Sequence, residues 1–338
     1  MNRIRFWMTG ALLATAASCV DRIVGSDPPD SPSGLFDLVW NDFDRNYAMF
    51  GIKRVDWDDA YRRYKPKADA ARSQTELAPV IGEMFRELQD LHVDLISPGG
   101  KFYSSIDNSA VHTYFNPLAI TGRYATGTVT TPSRKIRYGK LAPDVGWIWI
   151  ASFSGDGWAG EIGDALRALG GVSAVVLDVR NNGGGSTNNS EPIAGSFVDA
   201  ERVFSYYQYR NGPRHDDLTP MRALKTAPTG TRFGGKVVVL MNRFCASATE
   251  SFLLSLRVQP GIVFVGDTTA GALGNPMLRE LANGWVYRLP QWVQYDANKV
   301  VIENIGIAPD VVVKMTAADS AAGRDLQLER ALATAQGK

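Results

Sequence analysis

Apolar residues between Leu35 and Leu88 recur every three or four positions, which is typical of amphipathic helices. The pattern divides into three runs, and the third begins at Ser73, with Glu76 three positions further on. That spacing is the signature of a capping box at the start of a helix. The pattern therefore predicts a small helical subdomain over residues 34–96.

The pattern changes to strict alternation at the end of this subdomain, over residues 90–95. Alternation places the apolar residues on one face of a predicted strand and His92 on the other face, beside Asp90 and Asp94. Residues 97–140 are only weakly periodic, so we expect an irregular linking region there, made of irregular strands that join two subregions.

From residue 141 to residue 338, apolar strand-like runs alternate with helical runs. The predicted strands lie at 147–151, 174–179, 236–241, 262–265, 299–302 and 311–314. A helix is predicted from Ser247, and a hairpin is predicted to turn at Asn283-Gly284. This alternation indicates an α/β fold with buried sheet strands.

Charge and histidine content exclude several kinds of partner. The chain has 36 basic and 35 acidic residues, so its net charge of +1 favours neither nucleic acid nor an anionic surface. The three histidines, His92, His112 and His215, occur without paired ligand spacing, so we expect no metal site. No cofactor is expected either, because the dinucleotide and phosphate-loop signatures are absent.

The amino terminus has the pattern of a secretory signal over residues 1–19. Arg3 and Arg5 precede an apolar stretch that is too short to span a bilayer, and small residues and Cys19 follow. The run before Cys19 resembles a bacterial lipobox, so lipidation there would tether the protein to a membrane through residues 20–33. The alternative is an ordinary cleaved signal with an incidental cysteine. Both alternatives predict an extracytoplasmic protein.

Ser247 occupies the turn between a predicted strand and a predicted helix. A hydroxyl at such a turn is exposed, and the backbone amide of Ala248 can point at a developing oxyanion, aided by the positive end of the helix. Ser247 and Glu250 also match a capping box, which would explain both residues without any chemistry.

A glycine loop over residues 182–185 follows the predicted strand at 174–179. Residues without side chains let a ligand approach backbone amides closely, so the loop is a candidate for the second half of an oxyanion hole. The alternative is a simple turn. His92 is the preferred general base among the histidines, because it lies in a patterned segment beside carboxylates.

Together these segments resemble the carboxyl-terminal-processing (tail-specific) serine proteases and their tricorn-core relatives. The matching stretches, in the order of the family, are Leu177–Gly185, Asn242–Glu250, Gly266–Gly271 and Glu303–Asp310. The resemblance implies a crotonase-like (ClpP/crotonase) core sheet with Ser247 as the nucleophile. It also implies an oxyanion hole formed by the amides of Ala248 and Gly184.

The chain departs from the processing-type members of this family in two ways. Those members use a lysine as general base, but the matching position here is Ala272, and no lysine occurs between Ser247 and Lys299. The stretch between His92 and Lys140 is also too short for their peptide-binding insert. Recognition of substrate carboxyl termini is therefore not expected.

Tricorn-like members take the base from a histidine in the amino-terminal part, which matches His92, and support it with a glutamate that matches Glu303. Their bridging serine before the histidine is Leu91 here. Asp90 and Asp94 are therefore alternatives to Glu303 for orienting the imidazole.

The sequence thus predicts an extracytoplasmic serine endopeptidase that acts on peptides or proteins and reaches a membrane only through a lipid anchor. If the imidazole that acts as base has an ordinary pKa, the rate of hydrolysis would fall as the pH drops through roughly 6.5. Two alternatives are a scaffold that has lost catalysis and a non-catalytic carrier of apolar ligands or peptides. The carrier would use aromatic residues of the hairpin region, which are Trp285, Tyr287, Trp292 and Tyr295.

Overall fold

The computed structural model describes residues 31–338. The predicted signal, the lipidation site Cys19 and most of the predicted tether at 20–33 lie outside the described residues. Within residues 31–338, every helix is too short or too polar to cross a membrane.

Ten helices occur in the part of the chain that the structure describes. They are α1 (Pro32–Asn46), α2 (Phe50–Lys53), α3 (Trp57–Ala70), α4 (Gln74–Arg86), α5 (Pro117–Arg123), α6 (Glu161–Ala168), α7 (Thr187–Gly195), α8 (Ala248–Arg257), α9 (Ala317–Ala321) and α10 (Leu326–Ala335). The helical amino-terminal region is confirmed, with the one-turn helix α2 added to the three predicted runs. At the start of α4, Ser73 Oγ accepts from the amide of Glu76 at 3.2 Å, while the Glu76 carboxylate accepts from the amide of Arg72 at 2.8 Å.

Fourteen strands occur among the same residues. They are β1 (Asp94–Ile96), β2 (Phe102–Ser104), β3 (Thr126–Thr130), β4 (Ile136–Ala142), β5 (Val145–Ile150), β6 (Ala174–Asp178), β7 (Arg202–Tyr209), β8 (Arg222–Thr226), β9 (Lys236–Met241), β10 (Val263–Gly266), β11 (Pro276–Glu280), β12 (Val286–Pro290), β13 (Trp292–Asp296) and β14 (Val311–Val312). With the helices they form the expected α/β fold.

A seven-stranded sheet in the order β14-β10-β9-β6-β5-β4-β3 forms the centre of the molecule. The pairs from β14 to β5 are parallel, and β4 and β3 continue the sheet in antiparallel pairing. Apolar side chains cover both faces: those of α6 and α8 pack on one and those of α10 on the other. The carboxyl ends of parallel strands lie at one edge of a sheet, so the loops after β6 and β9 meet there.

Two smaller antiparallel sheets flank the central one, in the orders β13-β7-β8 and β11-β12-β1-β2. Strand β1, from the amino-terminal region, pairs with β12, so Leu95 lies opposite Tyr287. Trp285 and Tyr287 are buried with the side chains of α1, α3 and α4 in a second apolar core. The amino-terminal subdomain therefore completes its core with the hairpin of β11 and β12.

The stretch at 97–140 contains β2, β3 and most of β4, and register shifts interrupt the pairing of β3 with β4 and of β4 with β5. Two local predictions were wrong. The predicted strand at 299–302 is reduced to one isolated bridge between Tyr295 and Val301.

The second error concerns His92, which lies in a turn before β1 and not on a strand. The side chain of Asp90 accepts from the amide of His92 at 2.8 Å, and the carbonyl of Asp90 accepts from the amide of Val93 at 2.9 Å. Aspartate side chains commonly close turns in this way, so the local hydrogen bond overrides the alternating pattern.

Candidate active site

Ser247 adopts a strained conformation between β9 and α8. Its backbone has φ 59° and ψ −127°, and its hydroxyl forms no capping hydrogen bond with the helix that follows. A positive φ is uncommon for a residue with a side chain, and such strain tends to occur at functional sites. The amide of Ser247 donates to the carbonyl of Ala272 at 2.9 Å, which holds the turn in place.

Glu250 and Ser247 do not form a capping box, because the serine hydroxyl makes no bond to the helix. The buried carboxylate of Glu250 accepts from Thr269 Oγ1 at 2.5 Å and from the amides of Gly271 and Ala272 at 2.7 Å. Burial raises the pKa of this carboxyl above its ordinary value, and these three donors, with the amide of Ser247, oppose that rise. Glu250 therefore fixes the loop that in turn binds Ser247, and the capping-box alternative is wrong.

The glycine loop packs directly against the serine. A Cβ atom on Gly184, which has φ 104°, would lie 2.8 Å from the Cβ of Ser247. The amide of Gly184 donates to Asn182 Oδ1 at 3.0 Å. The neighbours Gly183 and Gly185 line a cavity of about 390 Å³ together with Ser247 and Ala248. Among the described residues, no acceptor partners the amides of Gly183, Gly185 and Ala248.

His92 lines the same cavity as Ser247, so the structure brings the two predicted residues to one site. The residue is 4% exposed, and its Nδ1 is buried without a hydrogen-bond partner among the described residues. The pKa of the imidazole is lowered to about 4. Burial is the largest cause, the negative charge of Asp90 opposes it, and the positive charges of Arg288 and Lys53 add smaller decreases. The ring is therefore neutral at physiological pH.

None of the three carboxylates predicted to orient the imidazole forms a hydrogen bond with its ring in the described part of the chain. Glu303 Oε1 binds Lys53 Nζ at 2.7 Å and Glu303 Oε2 accepts from the amide of Leu273 at 3.2 Å. The carboxylate of Asp90 accepts from the hydroxyl of Tyr47 at 2.7 Å. Asp94, for its part, pairs with Arg288. The orienting role of Glu303 stays a prediction.

The pair of Lys53 and Glu303 is almost fully removed from water, with side-chain exposures of 4% and 3%. Burial, with a smaller contribution from Asp90, raises the pKa of Glu303 above its ordinary value even though Lys53 lowers it. Lys53 Nζ also donates to the carbonyl of Gln89 at 2.9 Å. The lysine thus connects α2, the segment that leads to His92 and the loop that carries Glu303.

We expect Lys53→Met to lower the free energy of unfolding by about 3 kcal/mol, because it leaves a buried carboxylate without its cation. The matched control is Lys67→Met, since Lys67 and Glu83 form a pair with both side chains about half exposed. Loss of that surface pair is expected to cost less than about 1 kcal/mol. Urea denaturation of both variants measures the difference, and equal losses would contradict the buried role of Lys53.

The buried thiol of the chain and its other two histidines do not line the cavity that contains Ser247. Cys245 is buried, its thiol donates to the carbonyl of Val179 at 3.1 Å, and burial raises its pKa to about 12. His215 Nε2 lies 2.7 Å from Asp44 Oδ1, and His112 is exposed. Neither histidine lines the cavity that contains Ser247.

Several residues of the cavity were missed in the sequence, namely Thr187, Glu191, Leu224, Arg288 and Gln294. Thr187 and Glu191 lie on α7, which the sequence analysis did not predict. A signal was present, because Ser186 caps α7 by accepting from the amide of Asn188 at 3.2 Å. A serine followed by polar residues after a glycine loop is a common helix start.

Comparison with known proteins places this site in a family. The chain matches Peptidase family S41 over residues 144–313 and the Tricorn protease C1 domain over residues 28–86. The first match spans half of the chain and contains Ser247, Glu303 and the glycine loop. The chain belongs to peptidase family S41, and the resemblance seen in the sequence is confirmed.

Two curated proteins and one solved structure illustrate the likeness. The chain is 28% identical over 176 residues to the carboxy-terminal processing protease CtpA of Bacillus subtilis, covering 51% of this chain and 35% of that protein. It is 28% identical over 193 residues to Tricorn protease homolog 1 of Streptomyces coelicolor, covering 56% of this chain and 17% of that protein. A crystal structure of a candidate peptidase from Parabacteroides merdae superimposes with a TM-score of 0.82 at 31% identity, covering 91% of this chain and 97% of that one. The chain thus spans about a third of the length of the Bacillus protein.

Proposed function

We propose that the protein is a serine peptidase that hydrolyses internal peptide bonds, with Ser247 as nucleophile and His92 as general base. The observation that carries this proposal is the strained turn at Ser247. Its hydroxyl has no structural partner in the helix cap, and it shares a cavity with a neutral imidazole. A nucleophile held on a tight turn between a strand and a helix is the arrangement that acyl transfer requires.

In the first step, the neutral ring of His92 takes the proton of Ser247 Oγ as this oxygen attacks the substrate carbonyl. The amide of Ala248 and an amide of the glycine loop donate to the oxyanion, and each donor is worth about 10²- to 10³-fold in rate. The protonated ring then gives its proton to the leaving amine. Water completes hydrolysis of the acyl-enzyme by the same base.

The resemblance assigns the second oxyanion donor to Gly184. Because its amide is already bound to Asn182, we assign the role to Gly183 or Gly185, whose amides have no acceptor among the described residues. The role of Gly184 is then to let the loop approach Ser247 closely, because it has no side chain.

We propose that Glu303 acts as a positioning residue. It binds Lys53 on one side and the amide of Leu273 on the other, and Leu273 lines the cavity. Through these contacts it holds one wall of the cavity beside the His92 turn. The parallel strands β14 to β5 support the crotonase-like label as part of the same proposal.

A serine-directed phosphonate tests the proposal. We expect one equivalent of label on Ser247, located by mass spectrometry of the digested protein, and no label on Ser247→Ala. Folded protein that remains unlabelled and hydrolyses no peptide would favour the non-catalytic carrier or scaffold. The non-catalytic carrier has less support, because Trp285 and Tyr287 are buried in the second apolar core and cannot bind a ligand.

The pH profile tests the base. Because burial lowers the pKa of His92 to about 4, the ring stays neutral as the pH falls from 8 to about 5. We therefore expect kcat/KM to be flat over that range and to fall below it, where the imidazole takes up a proton. This replaces the fall near pH 6.5 expected for an ordinary imidazole. Circular dichroism at each pH controls for acid unfolding, and a midpoint at or above 6.5 would contradict the buried, neutral ring.

We further propose that the protein acts outside the cytoplasm on peptides or proteins, on the strength of the predicted signal before Cys19. The anchor remains part of this proposal. Incorporation of labelled palmitate into the wild type and its loss in Cys19→Ala would support lipidation, whereas equal incorporation would contradict it.

A further inference from the structure

Two helices begin beside the candidate nucleophile, and a groove between them leads away from it. Helix α7 follows the glycine loop and α8 follows Ser247. Glu191 on α7 and Ser251 on α8 line the cavity that contains Ser247 and His92. The same two residues line a second cavity of about 360 Å³. The two cavities therefore adjoin between the second turns of these helices.

Apolar side chains form part of the walls of this groove, among polar ones. Leu224, Leu273 and Trp292 line the part that contains Ser247, and Phe204 and Phe252 line the part beyond Glu191. Walls of this kind accommodate the aliphatic stem of a long side chain.

The cations of the groove are already paired. Lys225 Nζ binds Glu201 Oε1 at 2.7 Å, and Arg288 pairs with Asp94. Glu191, by contrast, is exposed to solvent in the groove, and its carboxylate has no ion-pair or hydrogen-bond partner among residues 31–338. Desolvation of the part of the carboxyl that faces the protein raises its pKa above the ordinary value. An unpaired carboxylate that lines a cavity can form a charge-assisted hydrogen bond with a cationic group of a ligand, and such bonds are stronger than neutral ones.

The spacing suits a long basic side chain. Glu191 lies four residues after Thr187, which starts α7 beside the glycine loop, and Ser251 lies four residues after Ser247. One helical turn rises about 5.4 Å. The flexible four-carbon stem of lysine, or the longer side chain of arginine, covers a distance of that order.

We propose that Glu191 makes the enzyme select lysine or arginine at the residue that supplies the scissile carbonyl. This inference rests on the proposed peptidase function, since it assigns the substrate class of the same site. The apolar walls hold the stem of the substrate side chain, and the carboxylate of Glu191 binds its cationic end.

Fluorogenic peptides that differ only in the residue before the scissile bond test this selection. Lysine and norleucine are a matched pair, because the two side chains have the same four-carbon stem and differ in the charged end. We expect kcat/KM for the lysine peptide to exceed that for the norleucine peptide by about tenfold or more, as for a charge-assisted hydrogen bond. Mass spectrometry of the products confirms the cleaved bond.

Variants assign the preference to one residue. In Glu191→Gln the lysine-to-norleucine ratio should fall to about one, and Glu191→Lys should favour a glutamate peptide over the lysine peptide. Glu83→Gln, which removes an exposed carboxylate of α4, should keep the wild-type ratio. A wild-type ratio of one or less, or an unchanged ratio in Glu191→Gln, would overturn the proposal.

Failure of the peptidase function gives a different result, because wild type would then cleave every peptide no faster than Ser247→Ala. In that case the affinity of Ser247→Ala for the lysine and norleucine peptides decides the selection. Tighter binding of the lysine peptide, lost on adding Glu191→Gln, would support it, and equal affinities would overturn it.

Discussion

Replacing Ser247 with alanine is expected to lower kcat for peptide hydrolysis by about 10⁴- to 10⁶-fold, because the variant has no hydroxyl to form the acyl-enzyme. The melting temperature should change little, since the hydroxyl forms no capping bond and alanine keeps the same backbone conformation. Peptide affinity, measured by titration, should also persist.

The matched control for this prediction is Ser173→Ala. Ser173 is exposed and lies just before β6, at the end of the sheet opposite the glycine loop, so its removal should leave kcat unchanged. Activity of Ser247→Ala above a few per cent of wild type would mean that another group performs the reaction.

Replacing His92 with alanine is expected to lower kcat/KM by about 10²- to 10⁴-fold, the usual contribution of a general base. The effect should be partly reversed by added imidazole, which can occupy the space left by the ring. Steady-state hydrolysis with and without imidazole measures both changes.

His112→Ala is the control for the second prediction, because His112 is exposed and does not line the cavity with Ser247. If His92→Ala retained activity within about threefold of wild type, the base would have to be sought elsewhere in the cavity. Loss of activity without rescue by imidazole, together with a lowered melting temperature, would indicate a structural role for His92.

Segments with a strong local pattern could be predicted from the sequence. The strand predicted at 236–241 matches β9 residue for residue, because its residues from Val237 to Met241 are all apolar, as a parallel strand buried on both faces requires. The amino-terminal helices followed from their periodicity in the same way. The strand predicted through His92 was wrong because alternation alone does not distinguish a strand from a turn closed by an aspartate side chain.

The residues of the candidate site also differ in whether a local sequence pattern identifies them. Ser247 and the glycine loop could be identified because each lies in a short segment with its own chemical signature. The contact of Lys53 with Glu303 joins residues 250 positions apart, and no local pattern encodes such a pair. Glu191 was missed for a related reason, since its importance depends on which helix lies opposite α7.

The pairing of β1 with β12 has a consequence for the timing of catalysis. The turn that carries His92, the proposed base, is anchored to a strand at residues 286–290, which follow the proposed nucleophile in the chain. Under the proposed mechanism, a polypeptide that has not yet released those residues from the ribosome lacks the support for its imidazole. We therefore expect the chain to gain peptidase activity only when its synthesis is nearly finished.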